Sequence, residues 1–231
     1  MLEFVGRETR VLETLQAFAE RGLRFVVVGG YAVSAYRHRF SVDADIVIPE
    51  GGEAAFGDVL KELGFERTVS KLLERTYASE FVRYEHRKGK VSVDVLISGI
   101  ASRQTGASFP FSLLAEHAQL RDITGTEKTV RAPVCDRELL VVLKLHAGRL
   151  TDFRDVAALS GGLDLELVRK HLFRGDRAVV QRHLEKLAAL LEQQNFIDSF
   201  KGVFQEQNYR IDREELLRLA KLKPPSGPEP R

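Results

Sequence analysis

Residues Arg24–Ile48 read RFVVVGGYAVSAYRHRFSVDADIVI, and the rest of the chain is organised around them. An apolar run, Phe25 to Val28, stops at Gly29-Gly30. A short helix-like segment follows from Tyr31 to Tyr36, and then a second apolar run carries Asp43 and Asp45. The order is a strand, a glycine turn, a helix start and an acidic strand.

Each part suits the handling of a metal-bound triphosphate. Glycines without a Cβ let the chain turn sharply and let a ligand approach the backbone. A helix start presents unpaired N–H groups and a partial positive charge to phosphate oxygens. In a strand, side chains alternate between faces, so Asp43, Asp45 and Val47 share one side while Ala44, Ile46 and Ile48 share the other. Two neighbouring carboxylates on one face can hold Mg²⁺, which takes hard oxygen ligands. Asp94 lies downstream in a strand-like run from Lys90 to Ile97. A lone acid among valines is costly unless a partner or a metal compensates it.

These residues carry a resemblance. Val28-Gly29-Gly30, a spacer from Tyr31 to Val42, Asp43-Ala44-Asp45 and the later Asp94 resemble the signature of the nucleotidyltransferase superfamily, which includes DNA polymerase β and the kanamycin nucleotidyltransferases. Arg39-Phe-Ser-Val-Asp-Ala-Asp45 is similar to the Arg-x-Thr-x-Asp-x-Asp run of the AbiEii-type family known from type IV toxin–antitoxin systems, with Ser41 in place of Thr. Gly30 stands where the superfamily also places Ser, so one hydroxyl that could touch phosphate is missing.

The chain has 231 residues, 44% of them apolar, and a net charge of +2. That is enough to bury a core as one large domain or two small ones. The near balance of charge gives no support for a strongly basic nucleic-acid scaffold. A single cysteine, Cys135, excludes an internal disulfide and suits a reducing compartment. No apolar run approaches the roughly 18 residues of a membrane span, and the N-terminus lacks a signal-peptide core. The expectation is a cytoplasmic protein with no membrane partner.

Around the central stretch, helices are expected over 7–20 and 53–63, and hairpin strands over 65–97, with Glu80–His86 and Val91–Ile97 joined through Arg87–Lys90. Ser98–Pro110 reads as a polar loop and 118–132 as a further hairpin. The next informative run is Asp136–Asp155. From Leu139 to Leu145 it is nearly all apolar, and Lys144 sits within it, where an ammonium group needs an anion nearby. The run resembles the Lys-x-x-Ala…Arg…Asp-x-x-Asp segment of AbiEii-like proteins, matched by Lys144, Ala147, Arg149, Asp152 and Asp155. The resemblance implies that Lys144 lies at the nucleotide and that Asp152 or Asp155 supports catalysis. Read from the residues alone, Lys144 could equally pair structurally or reach solvent, and Arg149, Asp152 and Asp155 could be a salt-bridged helix junction. The basic cluster Arg83, His86, Arg87, Lys88 and Lys90 reads as a solvated hairpin, and the histidines show no zinc spacing. Helices are also expected over 165–172, 176–192, 196–206 and 212–222.

The expected fold is therefore α+β: a nucleotidyltransferase-like mixed sheet flanked by helices over 1–133, a C-terminal helical bundle over 134–222, and a disordered tail over 223–231, with the site between the two domains. The expected activity is metal-dependent transfer of an NMP from an NTP to a hydroxyl acceptor, releasing pyrophosphate. Asp43, Asp45 and Asp94 would hold two Mg²⁺ ions, or Mn²⁺, with Asp94 also taking the acceptor's proton. Gly29, Gly30, Arg39 and Ser41, with Lys144, would bind the nucleotide, and the resemblance adds Asp152 and Asp155 as cofactor-binding candidates; Arg39 could instead simply fix the loop before the acidic strand. The acceptor classes are a tRNA end, a protein hydroxyl or a small molecule. An antitoxin is the protein partner the resemblance suggests. The alternative is a non-catalytic nucleotide- or RNA-binding module of a toxin–antitoxin pair.

Overall fold

The computed structural model describes residues 2–41, 43–72, 80–202, 204 and 211–224. The expectations for 73–79, for the end of the helix at 196–206 and for most of the C-terminal tail fall outside these residues. The chain divides into two compact units, Met1–Ile100 with Phe109–Asp136, and Ala101–Ser108 with Arg137–Arg231.

The first unit opens with helix α1 (Leu2–Glu20), which begins earlier than its apolar stripe suggests. Val11, Leu12, Leu15 and Phe18 bury that stripe almost completely. Strand β1 (Val26–Val28) leads into a short helix α2 (Gly29–Ser34), then β2 (Asp43–Ile48) and helix α3 (Glu53–Glu62). Strands β3 (Glu66–Leu72), β4 (Glu80–His86) and β5 (Val91–Ile97) follow. After them come β6 (Gly99–Ala101), β7 (Ser108–Pro110), helix α4 (Phe111–Glu116), β8 (Ala118–Thr124) and β9 (Thr129–Cys135).

Seven strands form one mixed sheet in the order β3-β4-β5-β2-β1-β9-β8. The acidic strand β2 is its middle member, parallel to β5 and antiparallel to β1. Ala44, Ile46 and Ile48 are fully buried on one face of β2, which leaves Asp43 and Asp45 on the other. Packing of α1 and α3 onto the sheet is fixed by Phe18, Phe25 and Phe56, whose rings meet edge-on at centroid distances of 4.8 to 6.1 Å. Each such pair adds about 0.5–1.5 kcal/mol beyond its area burial.

The expectation of a loop from Ser98 to Pro110 is corrected here. Its ends, β6 and β7, pair as a separate two-stranded sheet. The middle of this stretch belongs to the second unit: Ser102 Oγ donates to the carbonyl of His146 at 2.9 Å, and Thr105 Oγ1 lies 2.7 Å from His146 Nδ1. Its small polar residues carry no periodicity, so only these long-range bonds reveal the order.

The second unit is helical: α5 (Arg137–Ala147), α6 (Leu150–Leu159), α7 (Leu165–Leu172), α8 (Arg177–Leu191), α9 (Gln194–Asp198), a 3₁₀ turn (Ser199–Gly202) and α10 (Arg213–Ala220). Helix α5 is the central one, packed against α6, α7 and α8. Its run Leu139–Val142 is almost wholly buried. Asp164, Asp176 and Asp212 cap α7, α8 and α10 by accepting backbone N–H bonds of the first turn, each worth about 1 kcal/mol.

Candidate active site

The glycine turn gathers its motif residues tightly. Gly29 has φ +65°, a left-handed conformation that disfavours residues with a Cβ. A Cβ placed there would lie 1.9 Å from Asp45 Oδ2, so the absence of a side chain makes room for that carboxylate. A Cβ at Gly30 would lie 2.5 Å from Ser41 Oγ and 3.3 Å from Arg39 Nη2. Gly29, Gly30, Arg39, Ser41 and Asp45 therefore meet at one point where β1 ends and α2 begins. Tyr31 secures the returning loop by donating its hydroxyl to the Ser41 carbonyl at 2.8 Å. Burial, and then the charges of Glu8 and Asp43, push the Tyr31 phenol well above its ordinary pKa, so it remains a donor.

Register completes the acidic face. Asp45 lies opposite Asp94, and Asp43 opposite Ser92, in the parallel β2–β5 ladder. Directly opposed residues point the same way, so all three acids share one face with Ser92. The Ser92 hydroxyl donates to Asp43 Oδ1 at 2.7 Å. Asp94 is held by Arg83 of β4 through two parallel bonds, Nε to Oδ1 and Nη2 to Oδ2, both 2.7 Å. Hydrogen bonding to Asp94 raises the Arg83 pKa above its already high ordinary value, against the opposing effect of burial. The partner that the sequence demanded for Asp94 is thus a guanidinium. The turn of the basic hairpin is solvated, with the Arg87 and Lys90 side chains 75% and 66% exposed. Arg83, His86, Arg87 and Lys90 line a groove of about 340 Å³ that includes Asp43 and Ser92.

The donor chemistry fits a hard divalent cation. Asp43 and Asp45 offer carboxylate oxygens side by side on one face, without sulfur or imidazole, and Gly29 leaves open the space that Asp45 occupies. Asp94 does not complete that set. Among the described residues no group of three or more His, Cys, Asp or Glu is close enough to hold a metal ion, and both Asp94 oxygens bond Arg83. Asp43 and Asp45 supply hard oxygen ligands for the ion; Asp94 would share its oxygens with Arg83.

The remaining candidates lie in the second unit. Lys144 is 8% exposed, and its Nζ meets Asp155 Oδ2 at 2.7 Å and Asp152 Oδ1 at 3.3 Å. The anion that this buried ammonium needs is therefore supplied by α6. Asp152 also accepts the Arg149 backbone N–H at 3.2 Å and its guanidinium Nε at 2.7 Å, which closes a cap on α6. Burial alone would raise the Asp152 carboxyl, but the Arg149 hydrogen bonds and the charges of Lys144 and Arg149 outweigh it and hold it below the ordinary range.

Ser92 and the role of Tyr31 escaped the reading of the sequence, and Arg83 reads there only as part of the basic hairpin. Alternation alone places Ser92 on the face of Asp94, two residues away. A hairpin turning through Arg87–Lys90 pairs His86 with Val91 and, three steps on, Arg83 with Asp94. Both could have been counted out. The Tyr31 bond depends on how the 35–41 loop folds back, and no local pattern marks it.

Residues 10–225 match the family described as nucleotidyl transferase AbiEii toxin, type IV TA system, and the chain belongs to that family. No curated protein matches the chain in sequence. Among solved structures, it is similar to a putative nucleotidyltransferase from H. pylori (13% identity, 94% of this chain and 93% of that one, TM-score 0.49). It also resembles lincomycin-bound lincosamide antibiotic adenylyltransferase LnuA (16% identity, 67% and 96%, TM-score 0.46). A third is ANT(2")-Ia in complex with adenylyl-2"-tobramycin (16% identity, 77% and 97%, TM-score 0.46). These likenesses are too distant to carry an argument, and the assignment rests on the family match. No helix among the described residues is long and apolar enough to cross a membrane.

Proposed function

We propose that this chain transfers a nucleoside monophosphate from an NTP to a hydroxyl acceptor, with a divalent cation, Mg²⁺ or Mn²⁺, held by Asp43 and Asp45. The observation that carries the reading is the Asp45 carboxylate seated over Gly29, beside Asp43 and in register with Asp94. When bound, the cation supplies neutralisation of triphosphate charge and a lowered pKa for the attacking hydroxyl.

The chain's own residues do the rest. Ser92 fixes the orientation of Asp43. The Gly29-Gly30 backbone, with the Ser41 hydroxyl and the Arg39 guanidinium beside it, binds phosphate oxygens. The acceptor oxygen bonds to the α-phosphorus, the bond from that phosphorus to the bridging oxygen breaks, and pyrophosphate leaves. Asp94 takes the acceptor's proton. Lys144, which the family resemblance assigns to the nucleotide, is held by Asp152 and Asp155. A second ion would have Asp94 as its ligand in competition with Arg83.

The acceptor classes are a tRNA end, a protein hydroxyl and a small molecule. The family description supports a toxin role with an antitoxin as protein partner, and the lone, fully buried Cys135 suits the cytoplasm. The Arg83–Asp94 fork favours one alternative, a non-catalytic nucleotide- or RNA-binding module.

Calorimetry with each of the four NTPs, with and without Mg²⁺, on wild type and on the Asp43→Asn/Asp45→Asn variant tests the site. Metal-dependent binding lost in the variant is expected; binding unaffected by both the metal and the substitutions contradicts it. Tight binding with no pyrophosphate release across acceptors of all three classes would favour the alternative.

A further inference from the structure

Arg83 grips Asp94 in the strongest geometry available to a guanidinium and a carboxylate, a parallel fork with both bonds at 2.7 Å. The two ends of the pair are unequal. The Asp94 side chain is 9% exposed and that of Arg83 is 35% exposed. The acid is fixed in the sheet, whereas the base reaches it from the groove that Arg83 lines with Asp43 and Ser92. A buried carboxylate left unpaired is costly, so some cation must face Asp94 at all times. A guanidinium and a divalent ion on the same two oxygens repel each other, so an ion at Asp94 is held more weakly while Arg83 keeps its fork.

We propose that Arg83 is the stand-in cation of Asp94: it neutralises this carboxylate while no metal is bound there and sets the affinity of Asp94 for an incoming divalent ion by competing with it. The proposal rests on the reading of Asp43, Asp45 and Asp94 as the cation-binding acids. Arg83 is thus a positioning residue, acting through Asp94. Its place is specified by the hairpin, because the β4–β5 register puts it directly across from Asp94.

The test is Mn²⁺ binding followed by the loss of the free-ion electron paramagnetic resonance signal, on wild type, Arg83→Gln, Arg83→Gln/Asp94→Asn and Asp43→Asn/Asp45→Asn. Removing one positive charge next to a ligand oxygen is expected to tighten Mn²⁺ binding at Asp94 by about tenfold or more in Arg83→Gln. The gain should vanish in Arg83→Gln/Asp94→Asn. Wild type that binds Mn²⁺ through Asp43 and Asp45, with Arg83→Gln binding no tighter, overturns the proposal and leaves the proposed function standing. No Mn²⁺ binding by any of the proteins overturns both. If Arg83→Gln does not fold, the wild-type protein still decides: the Arg83 Nε–H nitrogen resonance should shift from its ion-paired position as Mg²⁺ saturates, and a resonance that stays in place overturns the proposal.

Discussion

Asp45 sits over Gly29 with its carboxylate in the space that a β-carbon would occupy, 1.9 Å from the position such an atom would take. A turn in the left-handed region and an acid on the neighbouring strand are thereby made one unit: the acid fits only because the turn residue has no side chain. That coupling explains why the motif needs a glycine just after β1 and an acid on β2, sixteen residues later, in a single pattern.

Gly29→Ala follows directly. The left-handed φ costs a residue with a Cβ roughly 1–2 kcal/mol, and Asp45 must also move. Urea unfolding should show a stability loss of at least that size, and calorimetry should show weakened Mg²⁺-dependent NTP binding. A variant as stable and as competent as wild type would refute the coupling.

Asp43→Asn and Asp45→Asn separate chemistry from folding. Asn at 43 keeps an oxygen for the Ser92 hydroxyl and removes only the charge. Pyrophosphate release should fall to background in either variant while circular dichroism and melting temperature stay near wild type. Full activity in either one contradicts the assignment of that acid.

Lys144→Met probes the buried ion cluster of the second unit. It leaves Asp155 without its ammonium partner and Asp152 with Arg149 alone. Breaking a buried pair from one side costs about 3–5 kcal/mol, so denaturant unfolding should move by that order. Lys144→Met/Asp155→Asn should recover part of the loss, because the acid that faced the ammonium is neutralised with it.

His146 gives the protein an acid-sensitive window. Burial, and then the nearby His183 and Arg174, lower its pKa from 6.5 to about 4, against a backbone hydrogen bond at Leu172. Between those values the unfolded chain binds a proton that the folded chain does not, so stability is complete above pH 6.5 and declines as pH falls towards 4. The shift corresponds to roughly 3 kcal/mol. The depressed Asp152 acts below that window, its contribution being lost as pH falls through its folded value. Melting measured from pH 7.5 to 4 should show the first decline, and His146→Gln should flatten it.

Much of the molecule could be read from sequence because its signals are local. The 3.6-residue stripe of α1 and the caps at Asp164, Asp176 and Asp212 depend on residues a few positions apart. So do the alternation of β2 and the glycine turn before α2. Local patterns therefore determined the helices, the main strands and the shared face of Asp43 and Asp45. Only the tertiary structure decided what each charge faces. That Asp94 is gripped by Arg83, that Ser92 holds Asp43, that Lys144 is answered by Asp155 and Asp152, and that residues 101–108 join the helical unit all follow from strand register and helix packing. A carboxylate carries the same letter in a sequence whether its counter-charge is a metal ion or a guanidinium, and the long-range pairing of strands is what selects between them.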